Sequence, residues 1–206
     1  ATGNAYQEAL NSGYTKEQAR AYSTLVGAAE VVLEKVLGAK VGLIGTMANM
    51  VGEEVIPTER TTPESFEVQK LFARMRDAGC THVVMEVSSQ ALKLSRVGGI
   101  VFDYGVFTNL EPDHIGPNEH TDFEDYAECK SRLFSQCRFG ILNGDDPEMS
   151  RMLMGSTCDY ITYGCKERAD LTATGIDLHR TDGKLMVSYK TQGILQTEIA
   201  VPVPGM

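Results

Sequence analysis

Four apolar runs in this chain end in polar residues suited to phosphate or metal chemistry. V-G-L-I-G-T closes on Thr46, and H-V-V-M-E-V carries Glu86 near its end. V-F-D-Y-G-V-F-T reaches Thr108 and Asn109, with Asp113 and His114 shortly after, and F-G-I-L-N runs from Asn143 into Asp145 and Asp146. If these runs are parallel strands, all four endings lie on the rim where open α/β sheets bind ligands. Glu86 is then either a structural partner of a nearby arginine or a hard oxygen ligand. His114 is either a loop hydrogen-bonder or a ligand. Glu86, His114 and a neighbouring anion would suit Mg2+, which favours oxygen and phosphate partners. Asp113, His114, His120 and Asp122 form a second conceivable set for a transition metal, although their spacing matches no metal-ligand motif.

Lys130 poses a separate question. Residues 121–134, T-D-F-E-D-Y-A-E-C-K-S-R-L-F, read as a helix with Thr121 and Glu124 as a capping box. Its apolar stripe is Phe123, Tyr126, Ala127, Leu133 and Phe134, and the position completing that stripe is Lys130. Either the stem covers apolar surface while the ammonium reaches water, or burial favours the neutral amine. A neutral amine can take up CO2 as a carbamate, which turns a cation into an anionic ligand beside a metal held by His114.

The elements that must position these groups alternate. Residues 15–37 predict a helix with Thr15 and Gln18 as its capping box and Leu25, Val26, Val32, Leu33 and Val36 apolar. The strand K-V-G-L-I-G-T follows, then a Gly-, Glu- and Pro-rich loop to Thr62, an expected N-cap with Pro63 at the first helical position. That helix turns Phe66, Leu71, Phe72 and Met75 inward and stops at Gly79. Strands at 82–87, 101–108 and 139–143 come next. From about residue 160 the texture changes to antiparallel hairpins, with T-D-G-K as a turn. Strands that alternate with helices and read apolar throughout predict an α/β fold. Its mostly parallel sheet is flanked by helices and carries an appended antiparallel β-hairpin layer.

The totals bound the function. The 206 residues, 42% hydrophobic, can bury one sizeable core, and the net charge of −9 disfavours nucleic acid as a partner. No run approaches the roughly 18 apolar residues of a membrane span, and no signal peptide opens the chain. Five scattered cysteines without a C-x-x-C pair read as reduced thiols, so the expected location is cytoplasmic. The apolar ending V-P-V-P-G-M suggests that the chain continues.

Several segments, in order, resemble the central domain of the Mur ligases, the ATP-dependent enzymes that build the peptide stem of peptidoglycan. They are V-G-L-I-G-T (41–46), T-T-P-E-S (61–65), T-H-V-V-M-E-V-S-S-Q-A-L (81–92), Arg96-Val97, F-T-N-L-E-P-D-H (107–114), E-D-Y-A-E-C-K-S-R-L-F (124–134) and L-N-G-D-D-P (142–147). The nearest branch adds the third amino acid to UDP-N-acetylmuramoyl-L-alanyl-D-glutamate through an acyl phosphate. The resemblance implies ATP, two Mg2+ ions and a CO2-derived carbamate on Lys130. It implies that Glu86 and His114 are metal ligands, joined by Lys130 as the carbamate, and that these three are the catalytic residues. It also implies that Thr61, Thr62, Ser88 and Arg96 hold the UDP-N-acetylmuramoyl-dipeptide, and that Asn143 lies near the adenine. On this reading the inward lysine is a ligand in its modified form.

The match is incomplete. The family's phosphate loop is missing, and no G-x-x-x-x-G-K-[ST] occurs among the 206 residues. Residues 1–28 are expected to be a segment unlike the family, and 29–206 an incomplete central, ATP-hydrolysing domain. Gln90 stands where many members have histidine, and Arg60 where asparagine is common. The family's UDP-binding and amino-acid-binding domains find no match here, and this chain by itself is expected to turn over little. Two other readings remain open: a non-catalytic UDP-muramoyl-peptide-binding remnant, and a folylpolyglutamate synthetase-like ligase.

Overall fold

The computed structural model describes residues 24–117, 119–166 and 169–202. The chain divides into two compact units, Ala1–Gly98 and Gly99–Met206.

The first unit is built on β1 (Val41–Ile44), whose four residues are all buried. It pairs in parallel with β4 (His82–Met85) and antiparallel with β2 (Asn49–Val51), and β2 pairs antiparallel with β3 (Glu54–Ile56). The sheet order is β3-β2-β1-β4. The β2–β3 hairpin occupies the stretch expected to be loop. Its strands are only three residues each and turn at Gly52, in the left-handed region at φ 58°, so their alternation is too short to stand out. Helix α1 (Thr24–Leu37) precedes β1. It turns Glu30 fully away from solvent and leaves Val32 and Val36 exposed. The expected capping box at Thr15 and Gln18 lies outside the described residues.

Helix α2 (Ser65–Asp77) buries Val68, Leu71 and Met75, one stripe at i, i+3 and i+7. Phe66, expected inward, falls off that stripe and is exposed. Gly42 admits the helix close to β1, because a Cβ there would collide with the Met75 side chain. The helix ends in a Schellman motif: Cys80 N–H donates to Met75 O (2.8 Å) and Gly79 N–H to Arg76 O (2.9 Å), with Gly79 at φ 79°. Its N-cap is Glu64 rather than Thr62, because the Thr62 hydroxyl is committed elsewhere.

The second unit is one six-stranded sheet, ordered β10-β9-β8-β7-β6-β5. β5 (Phe102–Phe107), β6 (Cys137–Asn143), β7 (Asp159–Gly164) and β8 (Leu171–Thr181) are parallel neighbours. β9 (Lys184–Gly193) and β10 (Thr197–Pro202) then add antiparallel. The mixed α/β class stands as expected, and the hairpins prolong the parallel sheet through β8. The β8–β9 turn places Asp182 (φ 50°) and Gly183 (φ 78°) in the left-handed region, as a tight hairpin requires.

Helix α4 (Phe123–Ser131) and a 3-10 turn (Arg132–Ser135) link β5 to β6, and α5 (Met149–Met152) links β6 to β7. A further short helix, α3 (Ser89–Lys93), follows β4 in the first unit. The core of the second unit gathers Phe107, Leu110, Tyr126, Ala127, Phe134, Leu142 and Met152. Among the described residues no helix is long and apolar enough to cross a membrane.

Candidate functional site

In the first unit the carboxyl ends of the parallel pair β1 and β4 meet. Continuing the ladder, Glu86 N–H donates to Ile44 O at 2.8 Å, which holds Glu86 beside Thr46. The Glu86 carboxylate accepts from Thr46 N–H (3.0 Å) and, at closer range, from the Thr46 hydroxyl, both on Oε2. Among the described residues no arginine fills the structural role considered for this glutamate, and its carboxylate accepts from these two groups. Oε1 is left for a cation, so the residue fits a hard divalent ion. Thr61 Oγ1 lies 3.0 Å from Thr46 Oγ1 and extends the same cluster.

Thr62 is 1% exposed, and its hydroxyl is used twice. It donates to Glu86 O (2.9 Å) and accepts from Ser88 N–H (3.0 Å). It therefore sets the exit path of β4 rather than capping α2. Ser88 in turn caps α3, its Oγ accepting from Ala91 N–H at 3.2 Å. Arg96 packs behind this loop with its side chain 12% exposed, paired to Glu64 Oε1 at 2.9 Å and donating to Thr62 O at 3.3 Å. Arg96 Nε and Gln90 Nε2 are buried donors without an acceptor among the described residues. Buried donors of this kind are usually satisfied, so these two are consistent with a ligand acceptor.

In the second unit the ends of β5 and β6 are knit together. Asn143 Nδ2 donates to Thr108 O (2.8 Å), and Asn143 Oδ1 accepts from Asp145 N–H (3.0 Å). Asp146 Oδ2 accepts from Leu110 N–H at 2.9 Å. One N–H and the oxygen of the Asn143 amide thus shape the rim, and the second N–H remains as a donor.

The loop after β5 carries His114 in the left-handed region, at φ 56°, with its N–H donating to Asp113 Oδ1 at 2.7 Å. A non-glycine residue held there is costly and is a pointer to function. The ring is 55% exposed; Nδ1 stands 3.6 Å from Glu119 Oε1, and Nε2 3.9 Å from Asp113 Oδ2. Lys130 is half-buried, its ammonium donating to Asn109 O (3.1 Å) and lying 5.0 Å from the centre of the Tyr126 ring. His114 packs on that same ring at 5.9 Å. The two residues singled out from sequence therefore flank one buried aromatic. Lys130 is neither deeply buried nor free in water, and both contacts suit a cation. A carbamate nitrogen keeps one N–H, so the bond to Asn109 O is compatible with the modified side chain.

The expected capping box on this helix shifts by one residue. Asp122 is the N-cap, accepting from Asp125 N–H at 2.8 Å, and Asp125 reaches back to Thr121 N–H at 3.0 Å. Two adjacent acidic or hydroxyl residues offered equivalent starts, and backbone geometry selected the second. The four-residue transition-metal set does not assemble as written. Instead His120, buried, faces Asp125 and Cys129, a grouping that sequence reasoning missed because its members are spaced by five and four residues across a helix start.

The chain is 42% identical over 168 residues to a UDP-N-acetylmuramoyl-L-alanyl-D-glutamate–2,6-diaminopimelate ligase of Clostridium acetobutylicum, an alignment covering 82% of this chain and 34% of the relative. The chain thus spans about a third of the length of such curated relatives. A solved structure of a ligase of the same description superposes with a TM-score of 0.70 at 23% identity, over 88% of this chain and 37% of that one. A mutant folylpolyglutamate synthetase (FPGS) of L. casei shares the fold more distantly, with a TM-score of 0.53 at 17% identity, over 88% of this chain and 50% of that one. The family model described as the Mur ligase middle domain matches residues 28–206, and the chain belongs to that family.

Proposed function

We propose that this chain is the nucleotide- and substrate-handling part of an ATP-dependent ligase of peptidoglycan precursor synthesis. The ligase adds an amino acid to UDP-N-acetylmuramoyl-L-alanyl-D-glutamate. The observation that carries the reading is the family match over 28–206, together with Glu86 just beyond β4, His114 in the loop after β5 and Lys130 on α4 beside the same Tyr126 ring as His114. The named relatives support 2,6-diaminopimelate as the amino acid. The same family match supports a cytoplasmic location.

In this reaction an oxygen of the substrate carboxylate attacks the γ-phosphorus of ATP, and ADP leaves. The amine of the incoming amino acid then attacks the acyl carbon, and phosphate departs as the amide forms. Several negative charges must approach one another, so positioning and charge neutralisation dominate. Mg2+, when bound, supplies that neutralisation. Glu86 in the first unit would hold one ion through Oε1. In the second unit His114 would hold another with Lys130 as its carbamate. Thr46 fixes the Glu86 carboxylate, and Thr62 fixes the loop carrying Ser88. Thr61, Ser88 and Arg96 offer hydroxyl and guanidinium donors to the anionic UDP-muramoyl-dipeptide. Asn143 sets the rim on which the adenine would rest.

A non-catalytic, UDP-muramoyl-peptide-binding role is the second reading, favoured by the lack of a G-x-x-x-x-G-K-[ST] segment in the sequence. Calorimetric titration of the chain with ATP and Mg2+ in bicarbonate buffer separates the two. Micromolar binding that is lost in Glu86→Ala is the expected result. Binding of the UDP-muramoyl-dipeptide with no response to ATP would overturn the ligase reading for this chain and favour the second.

A further inference from the structure

We propose that His120, Asp125 and Cys129 form a structural binding site for one zinc-like transition-metal ion. It is separate from the Mg2+ sites and rests on no reading of the reaction. Three different donor types converge at the start of α4. His120 Nδ1 lies 3.3 Å from Asp125 Oδ2, Cys129 Sγ lies 3.5 Å from Asp125 Oδ1, and all three ligand atoms fall within 4.8 Å of one another. Tetrahedral zinc takes nitrogen and oxygen at about 2.0–2.2 Å and thiolate sulfur at about 2.3 Å, which sets ligand-to-ligand edges of roughly 3.3–3.8 Å. The two short separations fall in that range, one to each oxygen of Asp125, so binding turns the carboxylate to present one oxygen to both partners.

The placement supports the same conclusion. His120 and Cys129 are fully buried, whereas the Asp125 side chain is 24% exposed and leaves an entry path and room for a water as fourth ligand. A thiolate and an imidazole select a borderline transition metal over Mg2+ or Ca2+. The charges close: one dication meets one carboxylate and one thiolate, so the buried assembly is neutral. On binding, the Cys129 S–H proton is released. The imidazole proton that bonds Nδ1 to Asp125 moves to Nε2, so that Nδ1 can coordinate the ion. Without metal the three groups share hydrogen bonds centred on Asp125, which also accepts from Thr121 N–H. An ion would replace those weaker links and fix the loop bearing His114, whose carbonyl accepts from His120 N–H at 3.0 Å, to the helix bearing Lys130.

The test is titration of the full chain under reducing conditions, with Co2+ followed by absorption and Zn2+ followed by calorimetry in two buffers. The expected result is one equivalent bound, a thiolate-to-cobalt charge-transfer band, and one proton released per Zn2+. Cys129→Ser should abolish the band. It should also weaken Zn2+ by more than the roughly 10–100-fold that loss of a merely supporting group costs. His120→Gln should do the same, which keeps the test decisive if one variant fails to fold by circular dichroism. Cys158→Ala probes the competing thiol pair, because Cys137 Sγ lies 3.8 Å from Cys158 Sγ. Absence of the band in the unaltered chain would overturn the proposal. So would its survival in Cys129→Ser, or its loss in Cys158→Ala.

Discussion

Single side chains here do more joining than their sequence context suggests. Thr62 reads as a helix cap, yet its buried hydroxyl ties Glu86 O to Ser88 N–H. Thr62→Val keeps the shape and orphans both groups, so it should cost about 1–3 kcal/mol in urea unfolding, whereas Thr61→Val should cost less. Asp170 gives a pH signature. The N–H and hydroxyl of Thr162, each 2.8 Å from Asp170 Oδ2, hold its carboxyl below the ordinary value of 3.8. A depressed carboxyl stabilises the fold above its unfolded value and loses that contribution as pH falls through the folded one. Acid melts should therefore show a steeper loss for the unaltered chain than for Asp170→Asn, which starts lower and has no such limb. Burial beside Cys158 pushes the Cys137 thiol up to about 12, so Cys137 should react slowly with thiol reagents at neutral pH while exposed Cys165 reacts first.

Among the elements, the crossing from parallel to antiparallel pairing in the second sheet depends on the β9 end. Gly193, at φ 101°, brings its Cα against the Asp170 carbonyl, and a Cβ there would collide with it. Gly193→Ala should lower stability by about 1–3 kcal/mol in thermal or urea unfolding, while Gly175→Ala, with open space around the Cβ but also at positive φ, should cost less. Periodicity identified α2 and α4 because each buries a stripe, and their starts were misjudged for one shared reason. Several oxygen-bearing residues precede each helix, and which of them becomes the cap is set by backbone geometry: Asp122 caps α4 through its side chain, whereas Glu64 begins α2 with no side-chain cap bond.

For the whole molecule, charge and exposed apolar area oppose each other. The net charge is −9 and the sequence pI about 5.0, while Val83, Tyr104 and Val106 on β4 and β5 are all substantially exposed. Repulsion keeps such surfaces apart at neutral pH. Light scattering should rise as pH approaches 5.0, and added salt at neutral pH should move it the same way by screening.

The sequence by itself determined the α/β class, the strand-end placement of Glu86, Asn143 and the loop of His114, and the family, because each rests on local pattern and ordered motifs. Only the tertiary structure decided what those residues touch. The Glu86 carboxylate leans on Thr46, forty positions away in the chain, and Lys130 shares Tyr126 with His114. Such pairings come from strand register and helix packing, which bring together residues whose separation along the chain carries no signal. The same holds for His120, Asp125 and Cys129, which become neighbours only once the helix start is set.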